Sequence, residues 1–364
     1  MPNENIARAS SRLNVELLEG RTLPASFGAT TGLSIALGDV VPSSGANEYV
    51  TGTGPGRQAL VRVWSGDGTV LLFSLNPFRQ FSGGVNVAIG DINNDGLREL
   101  IVSTAAGTTG QVKVYNFNNG GIQRVAAFTP FGPNYSGGVD LAVGDVTGSR
   151  QQEIIVGMQS GGSSVKAFSY DATNNPTFFQ VRGFQAFGPS YTGGVAVASA
   201  NTDITANSMG NPYNFNYSEV IVGKASAAPL IRIFDIQNPT PVLRTSYFAF
   251  DQTIASNRMG VNVAAGNTDG VRGAEIYVAL KGGSTIKYFS GQTGVNLGQV
   301  RVFPNNFSKM VNMTIAQVDD DFLGTFSPAD LSVVAADGKY EQVPFVYPGA
   351  AGSPAGNNGV RPAP

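Results

Sequence analysis

The chain has 364 residues, 42% of them hydrophobic and 13% charged, with a net charge of −2 and neither cysteine nor histidine. Those two absences exclude Ser-His-Asp and Cys-His nucleophiles, imidazole bases, His- or thiolate-held zinc and any disulfide framework, while carboxylate-only catalysis stays open. No basic field exists to gather a phosphate backbone and no 18-residue apolar run offers a membrane span, so neither nucleic acid binding nor membrane insertion is expected.

The 47 glycines and 20 prolines point to short strands and tight turns rather than helices. Residues 1–27 do not repeat. Arg8, Arg12 and Arg21 stand there without the apolar run of an ordinary secretory signal, and one strand is predicted over residues 13–18. From Leu33 onward a unit recurs roughly every 50 to 66 residues, a period in the range of propeller blades. An acid opens the second strand of each unit: Glu48, Glu99, Glu153, Glu219, Glu275 and Asp330. Six such strands predict six units.

A third strand follows, with a base between apolar neighbours at Arg62, Lys113, Lys166, Arg232 and Lys287; in the sixth unit it is placed at 343–346 without a base. The fourth strand ends in an aromatic corner, at Phe78, Phe131, Phe187 and Phe250, and Phe81, Tyr135, Tyr191 and Phe307 stand four residues before the valine opening the next unit. These aromatics are expected to pack between neighbouring units, because one repeat cannot bury its own apolar face. The fourth unit carries an Asn- and aromatic-rich insertion at 201–218, whose Asn211, Tyr213, Phe215 and Tyr217 are the candidate partner-binding residues. The sixth unit has no fourth strand after Tyr347, and residues 349–364 form a Pro/Gly/Ala/Asn tail too poor in apolar side chains to fold. The strand at 13–18 is expected to fill the vacant place and close the ring.

Residues 83–103 hold the most chemically loaded stretch, a strand–turn–strand in which Asp91, Asn93 and Asp95 place oxygens at alternate positions, Gly96 permits the reversal and Glu99 closes the set. That pattern suits a Ca²⁺ loop. Val102 occupies the twelfth position, where an EF-hand needs its bidentate Glu. The competing reading is a turn whose Asp and Asn cap their own backbone N–H groups. Because an acid equivalent to Glu99 persists in units that lack the other ligands, it is also expected to order the loop by accepting backbone hydrogen bonds.

The pattern Gly-Gly-Val-x-Val-Ala-x-Gly-Asp-x-Asn-x-Asp-Gly-x-x-Glu-x-Ile-Val, nearly complete at 83–102 and partial at 137–156 and 260–278, resembles the FG-GAP repeats of integrin-α-type propellers. Residues 12–26 resemble the Leu-Glu-x-Arg-x-Leu export-type segment of planctomycete surface proteins. The resemblance implies an all-β fold, a single β-propeller of about six four-stranded antiparallel blades, with seven as the alternative, over residues 28–348. It also implies Ca²⁺ in the loop between the first two strands of some units, held by Asp91, Asn93, Asp95, the Leu97 carbonyl and Glu99. Less complete sets stand at Asp145, Thr147, Ser149 and Glu153, and at Asn267, Asp269 and Glu275.

The function expected from these features is a non-enzymatic, exported or cell-surface propeller with structural Ca²⁺, acting in adhesion, protein contact or surface assembly. Its partner would be a protein or a glycan at the cell surface, with self-assembly open, and its location extracellular, with the periplasm as the alternative. The second expectation is a lectin-like carbohydrate binder stacking sugars on Tyr213, Phe215 and Tyr217. The third is a carboxylate-based polysaccharide-degrading enzyme, for which Asp203 and Asp251 are the acids standing outside the repeat framework.

Overall fold

The computed structural model describes residues 34–42, 44–66, 68–118, 121–171, 177–203, 217–268, 273–302, 311–315, 331–335 and 340–343. The expected closing strand at 13–18, the whole 1–27 segment, the 349–364 tail, and Asn211, Tyr213, Phe215 and Asp269 lie outside the described residues.

Each unit folds as a meander. The first sheet holds β1 (Ser34–Gly38), β2 (Glu48–Gly52), β3 (Val61–Trp64) and β4 (Leu71–Leu75); the second, β5 (Val85–Gly90), β6 (Glu99–Thr104), β7 (Val112–Asn118) and β8 (Gly121–Phe128). The third holds β9 (Val139–Gly144), β10 (Glu153–Met158), β11 (Ser164–Asp171) and β12 (Thr177–Gln185); the fourth, β13 (Val195–Ala200), β14 (Glu219–Lys224), β15 (Leu230–Asp235) and β16 (Val242–Phe248). The fifth holds β17 (Val261–Gly266), β18 (Glu275–Leu280), β19 (Thr285–Ser290) and β20 (Asn296–Arg301). Every pairing between these strands is antiparallel, and each acid that opens a second strand faces the last residue of the first, as Glu99 faces Gly90.

The molecule is thus a single β-propeller with five four-stranded blades, where six or seven were expected. The remaining unit gives a three-stranded sheet, β21 (Val311–Ile315), β22 (Leu331–Ala335) and β23 (Tyr340–Val343), with β23 ahead of the expected 343–346. The sixth apolar run does supply a second strand, but among the described residues only three strands pair there, so six second strands do not make six four-stranded blades. The first strands pack in the order β1, β5, β9, β13, β17, β21, and β21 meets β1, which closes the ring.

Burial runs outward in a gradient. The second strand is covered on both faces, fully so in Glu99–Thr104, whereas the fourth is largely exposed, as in Gly121–Phe128. Apolar alternation alone would fit a two-layer sandwich, but the uninterrupted Leu-Ile-Val and Ile-Ile-Val runs require a neighbour on each side. The cores accordingly lie between sheets: Val50, Val61 and Val63 pack with Val85, Val87, Leu100 and Val102 of the next blade. At Gly157 the approach is so close that a Cβ would stand 2.7 Å from Val195 Cγ2, so no larger residue fits without moving a strand. Polar side chains on the first strands add rungs between blades, with Asn86 Nδ2 donating to the Val139 carbonyl (2.7 Å) and Asn262 Nδ2 to that of Val311 (2.7 Å).

Candidate metal centre

The turn joining β5 to β6 is built by its own side chains. Asp91 accepts from the Asp95 and Gly96 amides through its two oxygens (3.2 and 2.9 Å), Asn93 Oδ1 accepts from the Asp95 amide (2.9 Å), and Asp95 Oδ1 accepts from that of Leu97 (2.8 Å). Asn94 and Gly96 take left-handed φ values of 59° and 83°, which glycine and asparagine tolerate best. Glu99, only 2% exposed, turns Oε2 back to the Ile92 amide (3.1 Å). The Asn93 amide nitrogen then donates to both Asp95 Oδ2 (2.9 Å) and Glu99 Oε1 (3.1 Å).

Two carboxylate oxygens therefore converge on one point, and what stands between them is a neutral donor. Burial drives the Glu99 carboxyl up to about 7; the Ile92 amide opposes this, and the Asp95 and Asp91 charges add to it. Among the described residues no group of three or more His, Cys, Asp or Glu converges closely enough to hold a metal through such ligands alone. What the turn offers is a mixed set: carboxylate oxygens of Asp91, Asp95 and Glu99 with the Asn93 amide. An all-oxygen set without a soft donor fits a hard cation and is poorly suited to zinc or copper. The self-capping expected as the competing reading is present in this turn, alongside two carboxylate oxygens that meet at the Asn93 amide.

The sister turns show what the buried acid does by itself. Glu48 accepts from the Val40 and Val41 amides, Glu153 from that of Val146, Glu219 from that of Thr202 and Glu275 from that of Thr268, all between 2.8 and 3.1 Å. In the third blade Asp145 caps the amides of Gly148, Ser149 and Arg150, and Thr147, Ser149 and Ser169 donate hydroxyls to Glu153 Oε1. Three hydroxyl donors meet the charge that a cation would otherwise offset. Burial still raises the Glu153 carboxyl, against those hydrogen bonds. In the fifth blade the Thr268 hydroxyl donates to Glu275 (2.9 Å) and lies 2.6 Å from Tyr277 Oη. Thr202, Thr268 and Ser169 escaped the sequence reading because hydroxyl residues in a polar turn carry no distinctive spacing.

Elsewhere the expected residues separate. Tyr217 donates to Asp235 Oδ2 (3.2 Å), which also receives Arg244 (3.1 Å), and Arg244 reaches Asp203 at 3.3 Å, so Tyr217 belongs to a polar cluster. Asp203 follows β13, on the end of the fourth blade where Ala200 faces Glu219; Asp251 follows β16, on the end where Leu230 faces Phe248. The strands between them span roughly 20 Å, whereas paired glycosidase carboxylates stand about 5–9.5 Å apart. These two acids cannot act as a catalytic pair.

No family model matches the chain, and no curated protein matches it. Among solved structures it is similar to the rhamnogalacturonan lyase YesW, at 13% identity and a TM-score of 0.42, and to the exotype rhamnogalacturonan lyase YesX, at 14% and 0.44. Each alignment covers 87% of this chain and 59% of the lyase, so the chain spans about three-fifths of those enzymes' length. Both distant neighbours are enzymes. The expectation of a non-enzymatic propeller for adhesion, protein contact or surface assembly is withdrawn, because nothing among the described residues speaks for such a role. No helix among the described residues is long and apolar enough to cross a membrane.

Proposed function

We propose that this propeller is a calcium-binding protein of the FG-GAP type, working outside the cytoplasm, in which the β5–β6 turn takes the ion on Asp91, Asn93, Asp95, Glu99 and the Leu97 carbonyl. The observation that carries the reading is the convergence of Asp95 Oδ2 and Glu99 Oε1 on the Asn93 amide, a neutral group in the place where a positive charge is wanted. The near-complete repeat motif at 83–102 and the export-type resemblance of residues 12–26 support the family and the compartment. Asp145 with Thr147, Ser149 and Glu153 is not included, because hydroxyl donors already serve Glu153 there.

A bound cation would offset three neighbouring negative charges and tie the turn to the blade. A partly exposed turn of this kind suits the modest affinity of extracellular modules, a Kd on the order of 10⁻⁴ to 10⁻³ M. Binding to the folded form alone then adds about 2.7 kcal/mol of stability at a hundredfold excess over Kd. Isothermal titration with Ca²⁺ after EDTA treatment and dialysis, alongside thermal melting with and without the ion, tests the reading. One site per chain and a raised melting temperature are expected; a flat titration with identical melts removes it.

A further inference from the structure

The net charge of −2 averages two unlike ends of the propeller. The acids that open the second strands and the aspartates of the β5–β6 turn stand at the end where first strands finish. At the opposite end, where second strands finish and third strands begin, the sign reverses. Near the start of its third strand each blade carries a base in the same register: Arg62, Lys113, Lys166, Arg232 and Lys287. Arg57, Arg79 and Arg258 in the loops of that end, and Arg301 as the last residue of β20, are exposed. None of these bases forms an ion pair among the described residues. Lys113, Lys166 and Arg232 donate to backbone carbonyls, which take a hydrogen bond but leave the positive charge uncancelled. The acids described at that end are Asp140, Asp251 and, in the register of the bases, Glu341 of the sixth unit.

The excess is greatest between the third and fourth blades. Thr104, Met158 and Leu280 face the valines that open their first strands, and in the fourth blade Lys224 takes that place, facing Val195. Arg232 faces Val222, two residues before Lys224, so the two bases share one face of the sheet. That face meets the corner of the third blade. The Lys224 ammonium lies 5.3 Å from the centre of the Phe187 ring and 4.5 Å from that of Tyr191, and the Arg232 guanidinium lies 5.3 Å from Phe187. Burial lowers the Lys224 pKa and the Arg232 charge lowers it further. Two like charges held together at a partly exposed rim repel, and a bound anion relieves that repulsion.

We propose that this end of the propeller binds an acidic polysaccharide, whose carboxylate or sulfate groups meet the ring of bases, most densely at Lys224 and Arg232. Bases repeated blade by blade and fixed on carbonyls and rings hold their charges at set places. Little side-chain freedom is then lost when a chain of regularly spaced anions lies across them. Single-stranded nucleic acid would instead stack its bases on exposed aromatic side chains, and Phe248 is the one exposed aromatic described at that end. A duplex is met by a patch or stripe of bases, whereas these follow a ring.

The full chain is titrated in EDTA, which keeps the outcome separate from the calcium turn. The probes are alginate, a polymer bearing one carboxylate on every sugar, and dextran as the neutral control. Alginate should bind at about 20 mM salt and lose about tenfold or more in affinity at about 200 mM, because salt screens such contacts; dextran should not bind. Lys224→Thr, matching Thr104 of the second blade, and the exposed pair Arg57→Ala with Arg79→Ala should each weaken alginate by about threefold or more. Arg150→Gly removes an exposed base from the other end at a left-handed position (φ 70°) and should leave alginate binding unchanged. The proposal is overturned if alginate does not bind, or if Arg150→Gly weakens it as much as the other variants do. Tighter binding of duplex DNA or phosphatidylglycerol vesicles than of alginate also overturns it, by assigning the face to another class of macromolecule.

Discussion

Lys166 donates its ammonium to the Pro130 carbonyl of the preceding blade at 2.9 Å and lies 5.5 Å from the centre of the Phe131 ring. Lys113 does the same to Pro77 and Phe78 (2.7 and 4.6 Å), and Arg232 to Ala186 and Phe187 (2.8 and 5.3 Å). Each base therefore fixes the corner of one blade against the third strand of the next. A charge-assisted hydrogen bond contributes about 1.5–3 kcal/mol and an exposed cation–π contact about 0.5–1. Lys166→Met keeps the apolar stem and removes both, so urea unfolding should show a loss of about 2 kcal/mol. Equal midpoints for variant and parent would mean that the seam is held by its aromatic packing alone.

The acid that opens β14 makes stability depend on pH. Glu219 is 1% exposed, and its carboxyl is pushed up to about 7, mainly by burial and partly by the Asp203 charge, against the hydrogen bonds from Thr202. A carboxyl raised in the folded state binds its proton more tightly there than in the unfolded chain. The stabilisation is thus complete below the unfolded value of 4.5 and is lost as pH rises through about 7. Asp140, raised to about 6 by burial, acts in the same sense. Melting temperature should fall between pH 5 and pH 7.5, and Glu219→Gln should remove a share on the order of 1–3 kcal/mol of that slope. A variant with the parent's slope refutes the assignment to Glu219.

Thr268 carries two contacts through one hydroxyl, to Glu275 Oε2 and to Tyr277 Oη, with Thr268 only 4% exposed. Thr268→Val conserves shape and removes both hydroxyl contacts, while the residue 268 amide still serves Glu275. A lost hydrogen bond costs about 0.5–1.5 kcal/mol, more where the partner is charged. The loss should appear as faster amide exchange across β17 and β18, with the first blade unaffected, because repeat units couple mainly to their neighbours.

The fold was legible because its signals repeat. A single Leu100-Ile101-Val102 run is ambiguous, but the same acid-plus-apolar run in successive units fixes strand order and antiparallel pairing. Second-strand signals overcount four-stranded blades, because Leu331–Ala335 carries that signal yet pairs, among the described residues, within a sheet of three strands. The metal turn was legible as a cluster of oxygens, but not what those oxygens do: the same Asp-x-Asn-x-Asp spacing specifies both self-capping and ligation, and backbone amides compete for every carboxylate. The interblade roles of Asn86, Asn262 and the strand-three bases were hidden, since each depends on a residue about 36 to 53 positions away.

Asp95 separates the two roles of the β5–β6 turn. Its Oδ1 accepts from the Leu97 amide, a service that a neutral asparagine can also perform, while Oδ2 faces only the Asn93 amide that a cation would displace. In EDTA, Asp95→Asn should therefore melt with the parent, because the cap survives and one negative charge near Glu99 is gone. Asp95→Ala should melt lower by about 1 kcal/mol, the usual loss for a capping side chain. In excess Ca²⁺ the parent should gain about 2–3 kcal/mol and neither variant should follow it. If Asp95→Asn keeps the parent's calcium shift, the turn's oxygens serve its backbone and the ion binds elsewhere.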